Sequence, residues 1–302
     1  MNVLGNQQSM LKNKNFFTKG QYLFWVLLLL LVSFAFFHIA DKMFKEDGIV
    51  ERILEEERPP VVDTTGVIET DTTRSNKNDT VFYSWKWNDF NNNSHNIIFK
   101  LHKDDLNKSE KTRTNSSMGI PVIYSILYNH DKTLLSDLIN KMKFEIKKYQ
   151  LNYFQAISYV CSSIQYIPYT LVLGSEGQCP CNMPFGDFSA QCQVQEDGRG
   201  CCSQILPSGV YSPLEFACLK TGDCDTRALL AFTFLNEMGF DVAVMISEGE
   251  GHSVLGVYLP NSGNYSYGTN QNGKKYALWE LTSPDWRFGM EVPGADWKTA
   301  ME

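Results

Sequence analysis

The sequence predicts an α+β domain behind a single N-terminal transmembrane helix. Three observations lead there. Helical periodicity comes first along the folded part of the chain and strand patterning follows it. One early stretch is apolar and free of charge. The 302 residues are 43% hydrophobic and 13% aromatic, enough for one large domain or two small ones with a real core. The net charge of -7 argues against nucleic-acid binding, which needs a basic face to neutralise phosphates.

Residues 21–40 read QYLFWVLLLLLVSFAFFHIA, without Asp, Glu, Lys or Arg. Some 20 helical residues span about 30 Å, the thickness of a bilayer's hydrocarbon core. Tyr22, Phe24 and Trp25 stand near one end, where aromatic rings favour the interface. The long leading segment and the lack of a small-x-small site favour an uncleaved anchor over a signal peptide. Lys12, Lys14 and Lys19 before it balance Lys42, Lys45 and Arg52 after it. The tail carries no acid, whereas Asp41, Glu46 and Asp47 dilute the far flank. The expected layout is a cytoplasmic tail over 1–20, the span over 21–40, a stalk over 41–75 and an extracytoplasmic domain over 76–302. The protein would then be a single-pass membrane protein facing the cell surface or periplasm.

Within that domain, the runs Thr80–Trp87 and His95–Leu101 alternate around an Asn/Asp cluster, a hairpin signal. Residues up to Met118 are polar and read as helix or loop in an accessory layer. Leu134, Leu135, Leu138, Ile139 and Met142 recur at helical spacing, as do Phe154, Ile157, Val160, Cys161 and Ile164, with Pro168 as a stop. Residues 174–207 form a cysteine-rich insertion. Pro213–Cys218 makes a short helical turn. A helix starts at Cys224, with Asp223 as its cap, an apolar stripe of Ala228, Leu229, Phe232, Leu235 and Met238, and Gly239 as its end. Strands follow at 241–246, 251–259 and 276–281, antiparallel by the turns between them.

All eight cysteines lie between Cys161 and Cys224. Cys179, Cys181, Cys192, Cys201 and Cys202 crowd the insertion, and in an oxidising compartment such clustering reads as local disulfides. Zinc is the rival, but the spacing lacks the C-x2-C pairs of structural zinc sites. No metal site is expected.

Cys224 is the candidate nucleophile. A helix N-terminus offers unpaired N–H groups and partial positive charge, which favour a thiolate. His252, after the Glu250-Gly251 turn, is the only histidine between Cys224 and the end of the sequence. It is the candidate base. Glu280, among apolar neighbours in the third strand, is the candidate acid that would orient the histidine. Asp285 competes with it from a loop.

The runs Gly222-Asp-Cys-Asp-Thr-Arg-Ala-Leu-Leu230, Gly239-Phe-Asp-Val242, Gly251-His-Ser-Val-Leu-Gly-Val257 and Trp279-Glu-Leu-Thr282 together resemble the transglutaminase-like superfamily of bacterial and archaeal proteins. Gln165-Tyr-Ile-Pro-Tyr169 and Pro213-Leu-Glu-Phe-Ala-Cys218 are similar to the segments leading to its cysteine. The resemblance covers roughly residues 130 to 290. It implies a papain-like core, a cysteine-bearing helix packed on an antiparallel sheet, with Cys224, His252 and Glu280 as a triad. Asp is commoner at the third position. Gln165 or Tyr166 would help to hold an oxyanion beside the Cys224 N–H.

These features imply acyl transfer at amide bonds. Water as acceptor gives a peptidase or amidase, an amine gives a cross-linking transferase, and a non-catalytic binding or scaffold module is the rival class. No cofactor is required, and no acidic loop for calcium stands out. The expected substrates are proteins or peptides, including those of a cell envelope.

Overall fold

The computed structural model describes residues 79–116, 118–174, 202–206, 208–259, 263–284 and 286–302. β1 (Thr80–Asn88) and β2 (Ser94–His102) pair as an antiparallel hairpin, Thr80 opposite His102 and Asn88 opposite Ser94. Alternation decides their faces: Trp85, Trp87, Ile97, Phe99 and Leu101 are buried, while Phe82, Ser84, Lys86, Asn96, Ile98 and Lys100 are exposed. Asp89 closes the turn by accepting the N–H groups of Asn91 and Asn93.

Four helices follow: α1 (Asp105–Thr114), α2 (Val122–Leu134), α3 (Ser136–Lys148) and α4 (Tyr153–Gln165). From α3, Asp137 accepts the Lys100 N–H and Lys141 donates to the Ile98 carbonyl, so two side chains satisfy the outer edge of β2. A capping box of Asn152 and Gln155 starts α4. Short strands β3 (Leu171–Leu173) and β4 (Cys202–Ile205) pair in parallel at the two ends of the cysteine-rich insertion.

α5 (Pro213–Leu219) starts with a second capping box, Ser212 with Glu215, and Pro213 in its first turn. Glu215 also accepts both arms of Arg113 from α1, at 2.7 and 2.8 Å, a buried bidentate pair. Beside it the buried Asp131 accepts the Ser109 hydroxyl and the Leu214 N–H. α1, α2 and α5 are thereby joined through satisfied polar groups.

α6 (Cys224–Glu237) runs through the middle of the molecule. It packs on α2, α4 and α5 and, on its other side, on β5 (Val242–Ser247) and β6 (His252–Tyr258). Ala228, Leu229, Leu230, Ala231, Phe234 and Leu235 are all fully buried, so the expected stripe is a buried cylinder. With β7 (Tyr267–Thr269), β8 (Lys275–Trp279) and β9 (Lys298–Met301), these strands close a barrel in the order β5-β6-β8-β7-β9. β9 pairs antiparallel with β5 and parallel with β7. Val242, Val244, Leu255 and Val257 join the main core with α6. Ala243, Met245, Val254, Tyr276, Leu278 and Trp297 form a second cluster on the opposite faces of the strands. Both faces of β5 and β6 are covered, which explains their nearly unbroken apolar runs.

Two parts of the expected fold class are corrected. The three-stranded sheet of a papain-like core is replaced by a closed five-stranded barrel in a mixed α/β molecule with six helices among the described residues. β7 and β9 are three and four residues long and lie among polar residues, so they give no periodic signal. The N-terminal transmembrane helix also falls out of the fold class. No helix among the described residues is long and apolar enough to cross a membrane, and residues 21–40, like the tail and stalk, lie outside them. The polar stretch before Met118, read as helix or loop, holds the helix α1, and α2 begins at Val122, ahead of the periodic residues that start at Leu134.

Candidate functional site

The segment Thr221-Gly222-Asp223 brings the chain into α6. Asp223 caps the helix with its carboxylate, accepting from the N–H and hydroxyl of Thr226 and from the Val172 N–H. A Cβ on Gly222 would meet the Thr226 side chain and, at 3.0 Å, the Phe216 ring, so only glycine fits there without displacement. Cys224 is the first residue of the helix and is 7% exposed.

His252 opens β6 opposite Ser247, after Gly251 in the left-handed region at φ 56°. The Nε2 of His252 lies 2.6 Å from a carboxylate oxygen of Glu280. The other Glu280 oxygen accepts the N–H groups of Leu281 and Thr282, at 2.8 and 2.9 Å. Glu280 is buried and stands one residue beyond β8, not inside a strand as expected. Leaving the ladder frees its following N–H groups to grip the carboxylate. Burial works against charge on both members of the pair. The hydrogen bond and attraction between them outweigh it, holding the imidazole above its ordinary value of 6.5 and the carboxyl below 4.5.

The thiol is reached from the same strand. The Ser253 N–H favours the charged form of the Cys224 thiol, and the Cys224 N–H does the same for the Tyr169 hydroxyl. Nε2 of His252 is engaged by Glu280, so Nδ1 is the ring nitrogen not taken by that carboxylate. The thiolate expected from the helix end meets opposing effects. Burial, then the charges of Asp225 and Asp223, push the thiol well above its ordinary value of 9.0. Two carboxylates next to the sulfur in sequence oppose the partial charge of the helix end, and the Ser253 N–H only partly offsets them.

The two oxyanion candidates have different surroundings. The buried Gln165 amide donates to the carbonyls of Glu280 and Trp286, so it braces the segment that carries the acid. Tyr166 is 47% exposed at the cap of α4. The competing acid Asp285 lies outside the described residues. So do Cys179, Cys181, Cys192 and Cys201; Cys202 belongs to β4 and is not among the free thiols, which are Cys161, Cys218 and Cys224. Among the described residues no cluster of three or more His, Cys, Asp or Glu could hold a metal.

Several supporting residues carry no obvious sequence signal. Arg227, fully buried, donates to the carbonyls of Gly222, Ile164, Leu281 and Ile167. It ties the cysteine turn, the exit of α4 and the residue after Glu280 into one frame. Asp225 accepts the hydroxyls of Tyr124 and Ser253. The Trp297 ring stands edge-on to His252, centroids 6.0 Å apart. Arg227 and Asp225 lie within the motif around Cys224, whereas Tyr124 arrives from about a hundred residues away. Compared with protein families, with curated proteins and with solved structures, the chain matches none.

Proposed function

We propose that this protein is a thiol enzyme of acyl transfer at amide bonds, with hydrolysis of a peptide or amide as its main outcome. Cys224 attacks the carbonyl and His252 takes the thiol proton through Nδ1. His252 then returns that proton to the departing amine, leaving an acyl thioester on Cys224. Water, deprotonated by the same imidazole, releases the acid and restores the thiol. Glu280 orients the ring and stabilises its protonated form. The observation that carries this reading is the 2.6 Å bond from His252 Nε2 to Glu280, with the residue after His252 hydrogen-bonded to the residue after Cys224. The resemblance of the four motifs to the transglutaminase-like superfamily supports it from the sequence side.

A thiol that is neutral at rest suits this reading when the imidazole acts as general base as the substrate arrives. The same observation favours a second reading, a binding module that keeps the constellation without turnover. The two separate on incubation with p-nitrophenyl acetate followed by acid quench and peptide mass mapping. An acetyl group on Cys224 of the native protein, absent from Cys224→Ala, is the expected result. No acetylation at Cys224 leaves the binding module. A fluorescent primary amine added with casein distinguishes the acceptors: incorporation into casein marks amine transfer, and loss of acyl groups to water alone marks hydrolysis.

A further inference from the structure

We infer that Asp225, Ser253 and Tyr124 form a positioning clasp that sets Cys224 against His252; this inference rests on the thiol acyl-transfer reading. The two reactive residues each have an immediate neighbour with no part in the chemistry, and those neighbours bind each other. Asp225 follows Cys224 on α6 and Ser253 follows His252 on β6. The Ser253 hydroxyl donates to Asp225 Oδ1, and the Ser253 N–H favours the charged form of the Cys224 thiol. Two dipeptides, 224–225 and 252–253, are therefore joined through the side chains of Asp225 and Ser253. Tyr124 on α2 donates to the same Asp225 oxygen at 2.6 Å and lies 3.4 Å from the Ser253 hydroxyl.

The clasp is enclosed on one side and open on the other. Tyr124 is fully buried and Ser253 nearly so, while Asp225 is partly exposed. A carboxylate that accepts two hydroxyl donors at one oxygen fixes both directions at once. α6 and β6 touch along their length, but apolar packing tolerates a slide of a fraction of an ångström. Hydrogen bonds at the reacting end do not. Misplacement of reacting groups by about 1 Å costs on the order of a hundredfold in rate.

Charge and geometry predict opposite outcomes at Asp225, which makes the idea testable. The Asp225 carboxylate disfavours a thiolate on Cys224. On charge alone Asp225→Asn speeds alkylation of Cys224; through loss of the clasp it slows it. The experiment follows Cys224 alkylation by iodoacetamide against pH in the native protein, Asp225→Asn, Ser253→Ala, Ser253→Thr, Tyr124→Phe and His252→Ala, each with a melting curve. The native protein should show an inflection that His252→Ala removes. Asp225→Asn and Ser253→Ala, still folded, should lose that inflection and react about tenfold or more slowly, Tyr124→Phe less so. Ser253→Thr, which keeps the hydroxyl, should recover the native curve. If Asp225→Asn does not fold, Ser253→Ala and Tyr124→Phe decide. Native curves in folded Asp225→Asn and Ser253→Ala overturn the clasp while leaving the thiol–imidazole pair intact. A native protein without a His252-dependent inflection overturns the underlying reading, and the clasp with it.

Discussion

Glu280 decides the pH at which His252 can accept a proton. Its carboxylate raises the imidazole above 6.5 against the opposing effect of burial, so the ring is protonated at pH values where an ordinary histidine is neutral. Base catalysis should therefore appear as pH rises through that elevated value, and the acid limb of kcat/KM should lie above 6.5. Glu280→Gln removes the charge but keeps the shape; the acid limb should move to lower pH and kcat should fall. A limb that stays in place contradicts the pairing. The same pair stabilises the fold. The histidine's share is present below its ordinary value and lost as pH rises through the elevated one. The glutamate's share is present above 4.5 and lost as pH falls through its lowered value. The pair therefore contributes most between about 4.5 and 6.5.

Arg227 shows how the elements share one frame. Its guanidinium reaches four carbonyls from three segments, and burial, opposed by nearby negative charge, pulls it down to about 10. Arg227→Met would fill similar space while leaving those carbonyls without a donor. It should destabilise the protein by about 3 kcal/mol or more in denaturant titration, since each buried group left unsatisfied costs roughly 1–3 kcal/mol. A loss below about 1 kcal/mol would mean that water replaces the guanidinium. Much at this scale was legible. Pro213 signals the start of α5, Asp223 the start of α6, and the alternation around the Asn/Asp cluster the first hairpin. Glu280 was legible as an acid but not as a residue that leaves its strand, because the grip of two following N–H groups has no sequence pattern. Gln165 ends α4 in a motif the sequence shows, but the reach of its amide to the carbonyls of Glu280 and Trp286, more than a hundred residues away, has no sequence signal.

Over the whole molecule, α6 lies between a helical layer and a barrel that are both filled. Two glycines let the barrel take the bulk of Met245. A Cβ on Gly256 would meet the Met245 Cγ at 2.7 Å and the Tyr276 Cβ at 2.9 Å, and one on Gly268 would run into Met245 and the Trp297 backbone. Gly256→Ala should cost about 1–3 kcal/mol through overpacking, read as a lowered melting temperature. An unchanged melting temperature would mean that Met245 has room to move. Barrel closure was not legible in advance. It depends on β9 meeting both β5 and β7, pairings set by tertiary contact between short polar segments. The positions of Cys224 and His252 were easier to read, because one opens a capped helix and the other opens a strand after a glycine turn. The apolar run at 21–40 shows the converse: its composition suggested a fold element, yet it has no counterpart among the described residues. The most direct measurement is the rate at which p-nitrophenyl acetate acylates Cys224 in the native protein and in His252→Ala at neutral pH. The account predicts a fall of about 10²–10⁴-fold on removal of the imidazole, with the label still confined to Cys224. Equal rates in the two proteins would contradict it.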